Sequence, residues 1–261
     1  MKIKQISIIS AAAAVLIAAL TLFTLAANNK PQNQTLISAS QASYCSIPQV
    51  AADLQYTSSP NVQVMQKDFS APAGEPQIYA RVNGTPIYGY TIEFLAEAAY
   101  HNHQLALQSM DAAALQALPA AALQQLKEPL AQLRADMLQQ QIDNQLLLQD
   151  AQKLKIFPAQ SVVSGVITRD VSLYNSSPHN SPAWYQFTAI LCADGLTAQN
   201  YASNPQVVAT VTQAITLQMM RYKAYADLPI AMQHNTAMVD AKIQTFIQNL
   251  AKSANIVVYY K

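Results

Sequence analysis

Downstream of residue 90 apolar positions recur mostly every three to four residues, the period of an α-helix with one buried face. Thr91 to about Met110 carries Ile92, Leu95, Ala99 and Leu105 in such a series, with Thr91 placed to cap it. A short Ala/Leu helix fits between Pro119 and Pro129, and Pro129 suits the first turn of the helix that follows. That helix has the clearest stripe of the chain, Leu130, Leu133, Met137, Ile142 and Leu146, and Phe157-Pro158 closes it. Further helices are expected over 160–173 and 184–192, the second closed by Gly195 in a left-handed cap. Thr197 can cap the next segment, whose stripe is Val208, Val211, Ile215, Met219 and Tyr222 and which Pro229 ends; a last helix spans 239–251.

Two β-prone stretches bracket this helical body. Ile78–Val82 and Thr85–Tyr88 flank Asn83-Gly84, the dipeptide that best tolerates positive φ in a tight hairpin. Ile256–Tyr260 at the far end is a strand by composition. A lone strand leaves its peptide groups unpaired, so this one must meet the opening hairpin and bring the two ends of the domain together.

The chain before the hairpin reads differently. Lys2 and Lys4 precede an uncharged run from Ile6 to Ala27, long enough to cross a bilayer as one helix of roughly 20 residues. Residues 1–27 are expected to be a membrane anchor or a cleaved signal segment, with the bulk of the chain outside the cytoplasm by the positive-inside bias. Residues 28–76, rich in Gln, Asn, Ser, Thr and Pro, read as a flexible linker or as an extension packed on the domain, which occupies 77–261. Cys45 and Cys192 make a disulfide possible in an exported compartment; the competing reading is one free linker thiol and one small buried hydrophobe.

Composition narrows the functional classes. Charged residues are 11% of the chain, against a usual share of about 25%, and amides and hydroxyls replace them. The net charge of +1 comes without a clustered basic face, which sets nucleic acid aside as a partner. His101 and His103 are two apart on a helix and point to different faces, so they would not share a metal. Glu93 and Glu97, one turn apart, form either an acidic pair or part of a solvated face. No Gly-x-Ser-x-Gly nucleophile is present, and the five glycines form no phosphate-cradling loop. No catalytic residue, cofactor or metal site is expected.

The order of elements resembles the N-terminal chaperone domain of SurA-like proteins, the extracytoplasmic parvulin-type foldases. Three motifs carry the resemblance: Val82-Asn83-Gly84-Thr85-Pro86-Ile87, the helix Gln141–Ile156, and the helix start Gly195-Leu196-Thr197 through Tyr201. Lys155 stands where that family often has glycine. The family usually inserts an isomerase domain of about 90–100 residues before the final helix, whereas only 228–239 fills that place here, too few for any domain. The resemblance implies a mainly α fold, a multi-helix domain with a small sheet of hairpin and terminal strand, preceded by a transmembrane helix. It further implies a membrane-tethered chaperone for unfolded or exported polypeptides without isomerase activity. The alternatives are an envelope assembly or scaffold protein with one partner, and an isomerase-family enzyme. Met137, Met219, Met220 and Tyr222 are the side chains expected to line a polypeptide-binding groove, because thioethers repack around varied partners; ordinary core packing is the competing reading.

Overall fold

The computed structural model describes residues 44–48, 50, 77–179 and 181–260. It opens with β1 (Ile78–Val82) and β2 (Thr85–Tyr88), followed by α1 (Gly89–Ser109), α2 (Ala112–Ala117), α3 (Ala120–Leu126) and the long α4 (Leu130–Leu154). Then come α5 (Gln160–Ser176), α6 (Pro182–Asp194), the single turn α7 (Ala198–Tyr201) and α8 (Pro205–Tyr225). A 3₁₀ turn (Ile230–Met232), α9 (Thr236–Lys252) and β3 (Ile256–Val258) complete it.

The three strands form one open sheet in the order β2-β1-β3, so the ends of the domain meet through β1. Asn83 and Gly84 take φ of 50° and 85°, the left-handed values a two-residue hairpin requires. β3 runs antiparallel to β1 with Val82 opposite Ile256 and Ala80 opposite Val258. The β1–β2 register slips between Ile78 and Ala80, leaving Tyr79 as an extra residue. That bulge breaks the strand's alternation, and both Tyr79 and Ala80 are buried. The carbonyl of Tyr79 is not lost to the sheet, for it accepts the N–H groups of Tyr259 (2.8 Å) and Tyr260 (3.2 Å). β2 ends directly in α1. The expected Thr91 cap is replaced because the Gly89 N–H donates to the Gln77 carbonyl at 2.7 Å, starting the helix two residues earlier.

The two largest hydrophobic clusters meet along α8. The larger joins Ala80, Val82 and Ile87 of the sheet to Ile92, Ile142, Leu147, Leu217, Met220 and Ile247. The second joins Val163 and Ile167 of α5 to Leu191, Tyr201, Val207 and Val211. α8 serves both, its N-terminal half in the second cluster and its C-terminal half in the first. α4 ends at Lys155, which adopts φ 56° where glycine would be unstrained, and the Ile156 N–H then closes on the Ala151 carbonyl at 2.9 Å. α6 ends as its sequence indicates, with Gly195 at φ 64°, and Thr197 and Asn200 exchange the two bonds of a capping box.

Within the stretch read as a linker, residues 44–48 and 50 lie against α6. Cys45 and Cys192 are joined by a disulfide, across a sequence separation of 147. Val50 is fully buried beside Trp184 and Ala189. Tyr44 meets the edge of Trp184, while His179 stacks on its face at 5.0 Å. The remainder of 28–76, apart from those residues, lies outside the described residues.

The membrane-spanning helix requires correction. Its segment, 1–27, lies outside the described residues, and among the described residues no helix is long and apolar enough to cross a membrane. α4 has the length, 25 residues, but carries Arg134, Asp136, Asp143, Asp150 and Lys153, whose charges hydrocarbon would not solvate. The fold is therefore a mainly helical one with a small open three-stranded sheet. The membrane anchor, and the membrane-anchored extracytoplasmic location drawn from it, are not carried further.

Trp184 is the sole tryptophan and only 2% exposed. Replacing both Cys45 and Cys192 by Ser is expected to lower the urea midpoint by the equivalent of about 5 kcal/mol, on the chain-entropy account of so long a loop. Emission from Trp184 should shift to the red as Tyr44 and Val50 leave it. Gly89 is a second test, because a Cβ there would collide with the Tyr79 ring. Gly89→Ala should cost about 1–3 kcal/mol in chemical denaturation.

Candidate functional site

A cleft of about 530 Å³ opens between β2, α4 and α8. α4 supplies Gln141, Gln145, Gln149 and Gln152, spaced at i, i+4, i+8 and i+11, which places all four amides along one face. Ala209, Thr212, Gln213 and Thr216 stand opposite on α8 at i, i+3, i+4 and i+7. β2 closes one end with Thr85, Pro86, Ile87 and Tyr88, and Thr91, Leu148 and Phe157 complete the walls. Phe157, just beyond α4, is 52% exposed and presents a ring at the rim.

The polar groups of this cleft are not equivalent. Gln149 is committed to the fold: its Nε2 donates to the Val82 carbonyl (2.9 Å) and to Thr85 Oγ1 (3.3 Å), and its Oε1 accepts from Asn83 Nδ2 (2.6 Å). It thereby holds the hairpin against α4 and fixes where β2 stands. Thr212 and Thr216 spend their hydroxyl protons on the carbonyls of Val208 (2.7 Å) and Thr212 (2.8 Å), one turn back in their own helix. They can therefore only accept from anything in the cleft. Gln213 Oε1 is buried without a hydrogen-bond partner among the described residues. An orphaned amide oxygen costs roughly 1–3 kcal/mol, and the soft terminal torsion of Gln lets it turn to meet a donor. Among the described residues no carboxylate, imidazole, thiol, ammonium or guanidinium lines the cleft.

The residues singled out from sequence lie elsewhere. Met220 is fully buried in the larger cluster, and Met137 packs between that cluster and those around Phe94 and Leu133. Met219 and Tyr222 are exposed on α8, and Tyr222 meets the edge of Tyr225. None of the four lines the cleft. The glutamine stripe was written in the sequence at helical spacing. It carries no apolar signal, so a reading built on hydrophobic periodicity passes over it.

Glu93 and Glu97 are neither an acidic dyad nor a plain solvated face. Glu93 accepts the Tyr79 hydroxyl at 2.8 Å through Oε1 and Arg134 Nε at 2.6 Å through Oε2. Tyr79 in turn stacks on Tyr260 at 4.4 Å. The chain of contacts Tyr260–Tyr79–Glu93–Arg134 thus ties the C-terminal residues to β1, α1 and α4. Burial, then the nearby charge of Glu93, raises the Glu97 carboxyl above its ordinary value, against the pull of Arg134. His103 is held below the ordinary imidazole value by burial. Among the described residues no group of three or more His, Cys, Asp or Glu could hold a metal ion.

No protein-family model, curated protein or solved structure matches this chain.

Burial, followed by the bond to Glu93, raises the Tyr79 phenol well above its ordinary value of 10.0, and burial pushes Tyr90 up to about 12. Above pH 10 the unfolded chain loses these protons while the folded chain keeps them. Folded protein then binds more protons than unfolded, so stability falls as pH rises. Urea midpoints measured from pH 9 to 12 should decline from about pH 10 upward, and Tyr79→Phe should make the decline shallower.

Proposed function

We propose that this chain is a non-catalytic binding module, and that its ligand is an uncharged molecule rich in hydrogen-bonding groups held in the cleft between β2, α4 and α8. The observation that carries this reading is a concave site in which, among the described residues, amides, hydroxyls and apolar side chains but no ionic group form the lining and Gln213 Oε1 lacks a hydrogen-bond partner. A charged ligand would give up its hydration there and receive no counter-charge. A neutral one exchanges water for amide and hydroxyl partners at little cost, and Ile87, Leu148 and Phe157 supply apolar contact. The lining offers no carboxylate, imidazole or amine to move a proton near neutral pH, which supports binding rather than turnover.

The membrane-tethered chaperone reading is withdrawn. Of its expected groove residues Met220 is sealed in the core, Met137 packs among three clusters, and Met219 and Tyr222 are exposed on α8, so the four do not line one groove for unfolded or exported polypeptides. Its tether falls with the membrane helix. What is retained of the resemblance to SurA-like N-terminal domains is a proposal about architecture alone. Its support is the motif Val82–Ile87, the helix motif Gln141–Ile156, and a terminal strand that returns to the opening one.

Thermal denaturation in the presence of neutral polar compounds and of charged ones tests the binding reading. A neutral ligand at about 100 times its Kd should stabilise the chain by about 2.7 kcal/mol. Ala209→Trp, at an exposed position of the wall, should abolish the effect while leaving the unliganded Tm in place. Stabilisation confined to anions or cations, or persisting in Ala209→Trp, overturns the reading.

A further inference from the structure

We propose that the ligand of the cleft is an uncharged saccharide of one or two pyranose rings. The inference rests on the cleft being a binding site and adds the chemical class it takes.

Three features of the walls converge on hydroxyl chemistry. Thr212 and Thr216 have lone pairs to offer but no free hydroxyl proton, so the α8 side asks the ligand for donors. Gln145 and Gln152 each carry an NH₂ and a carbonyl, so the same ligand must also accept. A sugar hydroxyl does both from one atom, whereas a peptide or a planar base has donors and acceptors at separate fixed places. The third feature is the Phe157 ring, 52% exposed, which lines the cleft together with amides, hydroxyls and the apolar side chains Pro86, Ile87 and Leu148. The axial C–H face of a pyranose packs on such a ring while its equatorial hydroxyls reach the amides. The volume of about 530 Å³ lies in the range of small-molecule sites and suits one or two rings.

The hairpin disfavours an extended peptide at the same place. β2 is an edge strand of the sheet, and a peptide could lengthen the sheet only along its outer side. Pro86 lies opposite Arg81, one position past the turn-closing pair Val82–Thr85. In an antiparallel ladder that neighbouring pair turns its peptide groups outward. Proline has no N–H to offer there, so the edge presents an acceptor without its donor.

The test uses the full chain and measures binding by calorimetry and by saturation transfer from protein to ligand protons. The probes are maltose, cellobiose and N,N′-diacetylchitobiose. N-acetyl-trialanine amide serves as the neutral peptide comparison and glucose 6-phosphate as the charged one. At least one of the three disaccharides should bind, with saturation strongest on the C–H protons of one ring. Phe157→Ala should weaken that binding about tenfold, the loss expected for one ring contact, and Ala209→Trp should abolish it. Because both positions are exposed, an unchanged Tm will show that the variants fold, as will unchanged Trp184 emission in Phe157→Ala. Binding of the tripeptide amide with none of the disaccharides, abolished by Ala209→Trp, overturns the saccharide assignment and leaves the cleft as a binding site. Absence of binding by every neutral probe overturns both. Disaccharide binding that Ala209→Trp leaves unaltered lies outside the cleft and overturns the saccharide inference, and binding that Ala209→Trp abolishes but Phe157→Ala does not alter overturns the stacking on Phe157.

Discussion

The return of Ile256–Val258 to β1 is the constraint around which the rest of the molecule is arranged. It joins residues 172 positions apart, Asn255 donating its N–H to Asn83 Oδ1 at 2.7 Å and Asn83 donating its own to the Asn255 carbonyl at 2.8 Å. Asn83 therefore has three tasks. It takes the left-handed turn conformation, clamps the start of the last strand, and reaches Gln149 on α4. Closing so long a stretch costs chain entropy that grows only slowly with its length, so a few such bonds over a buried sheet face suffice to hold it. Without the return, β1 would lose one of its two partners, and Tyr79 would lose both the N–H donors to its carbonyl and the ring of Tyr260.

The same joint determines where the cleft lies. Gln149 sits in the middle of the α4 amide stripe, yet its hydrogen bonds go to Val82, Thr85 and Asn83. One glutamine of the four thus builds the wall that its neighbours line. On the other side, α8 is held by packing in both hydrophobic clusters and by Arg221, whose Nη2 donates to the buried Asn144 Oδ1 at 3.1 Å. A helix fixed at both halves cannot slide along α4, so Thr212, Gln213 and Thr216 remain opposite the amides. The sparse charge of the chain has a structural counterpart here: among the described residues the cleft is lined without an ionic side chain.

The far side of the molecule shows the other means of stabilising a chain with few ion pairs. The disulfide brings residues 44–48 and 50 onto α6, where Tyr44, Tyr174, His179 and Tyr185 surround Trp184. Aromatic side chains bury large areas with few rotatable bonds, so this group gains much contact for little lost entropy. Three salt bridges occur among the described residues, and the least exposed of them, Arg134–Glu93, is part of the contact chain that secures the C-terminal tyrosines.

What the sequence by itself determined was local. Asn83-Gly84 required a hairpin, Gly195 and Thr197 required a cap and a start, and the apolar stripes of α4 and α8 required helices, because backbone sterics and side-chain periodicity act over a few residues. The meeting of the two terminal strands was also legible, since an unpaired strand must find a partner and one was available. Tertiary structure alone decided the rest. Whether Met137, Met219, Met220 and Tyr222 face one groove depends on how two helices are rotated about their axes, and that rotation sent Met220 inward and Tyr222 outward. The pairing of Cys45 with Cys192, the bulge at Tyr79 and the confrontation of four glutamines with two threonines likewise depend on distances between elements remote in sequence. Spacing along a helix says which side chains share a face; only packing says what that face meets.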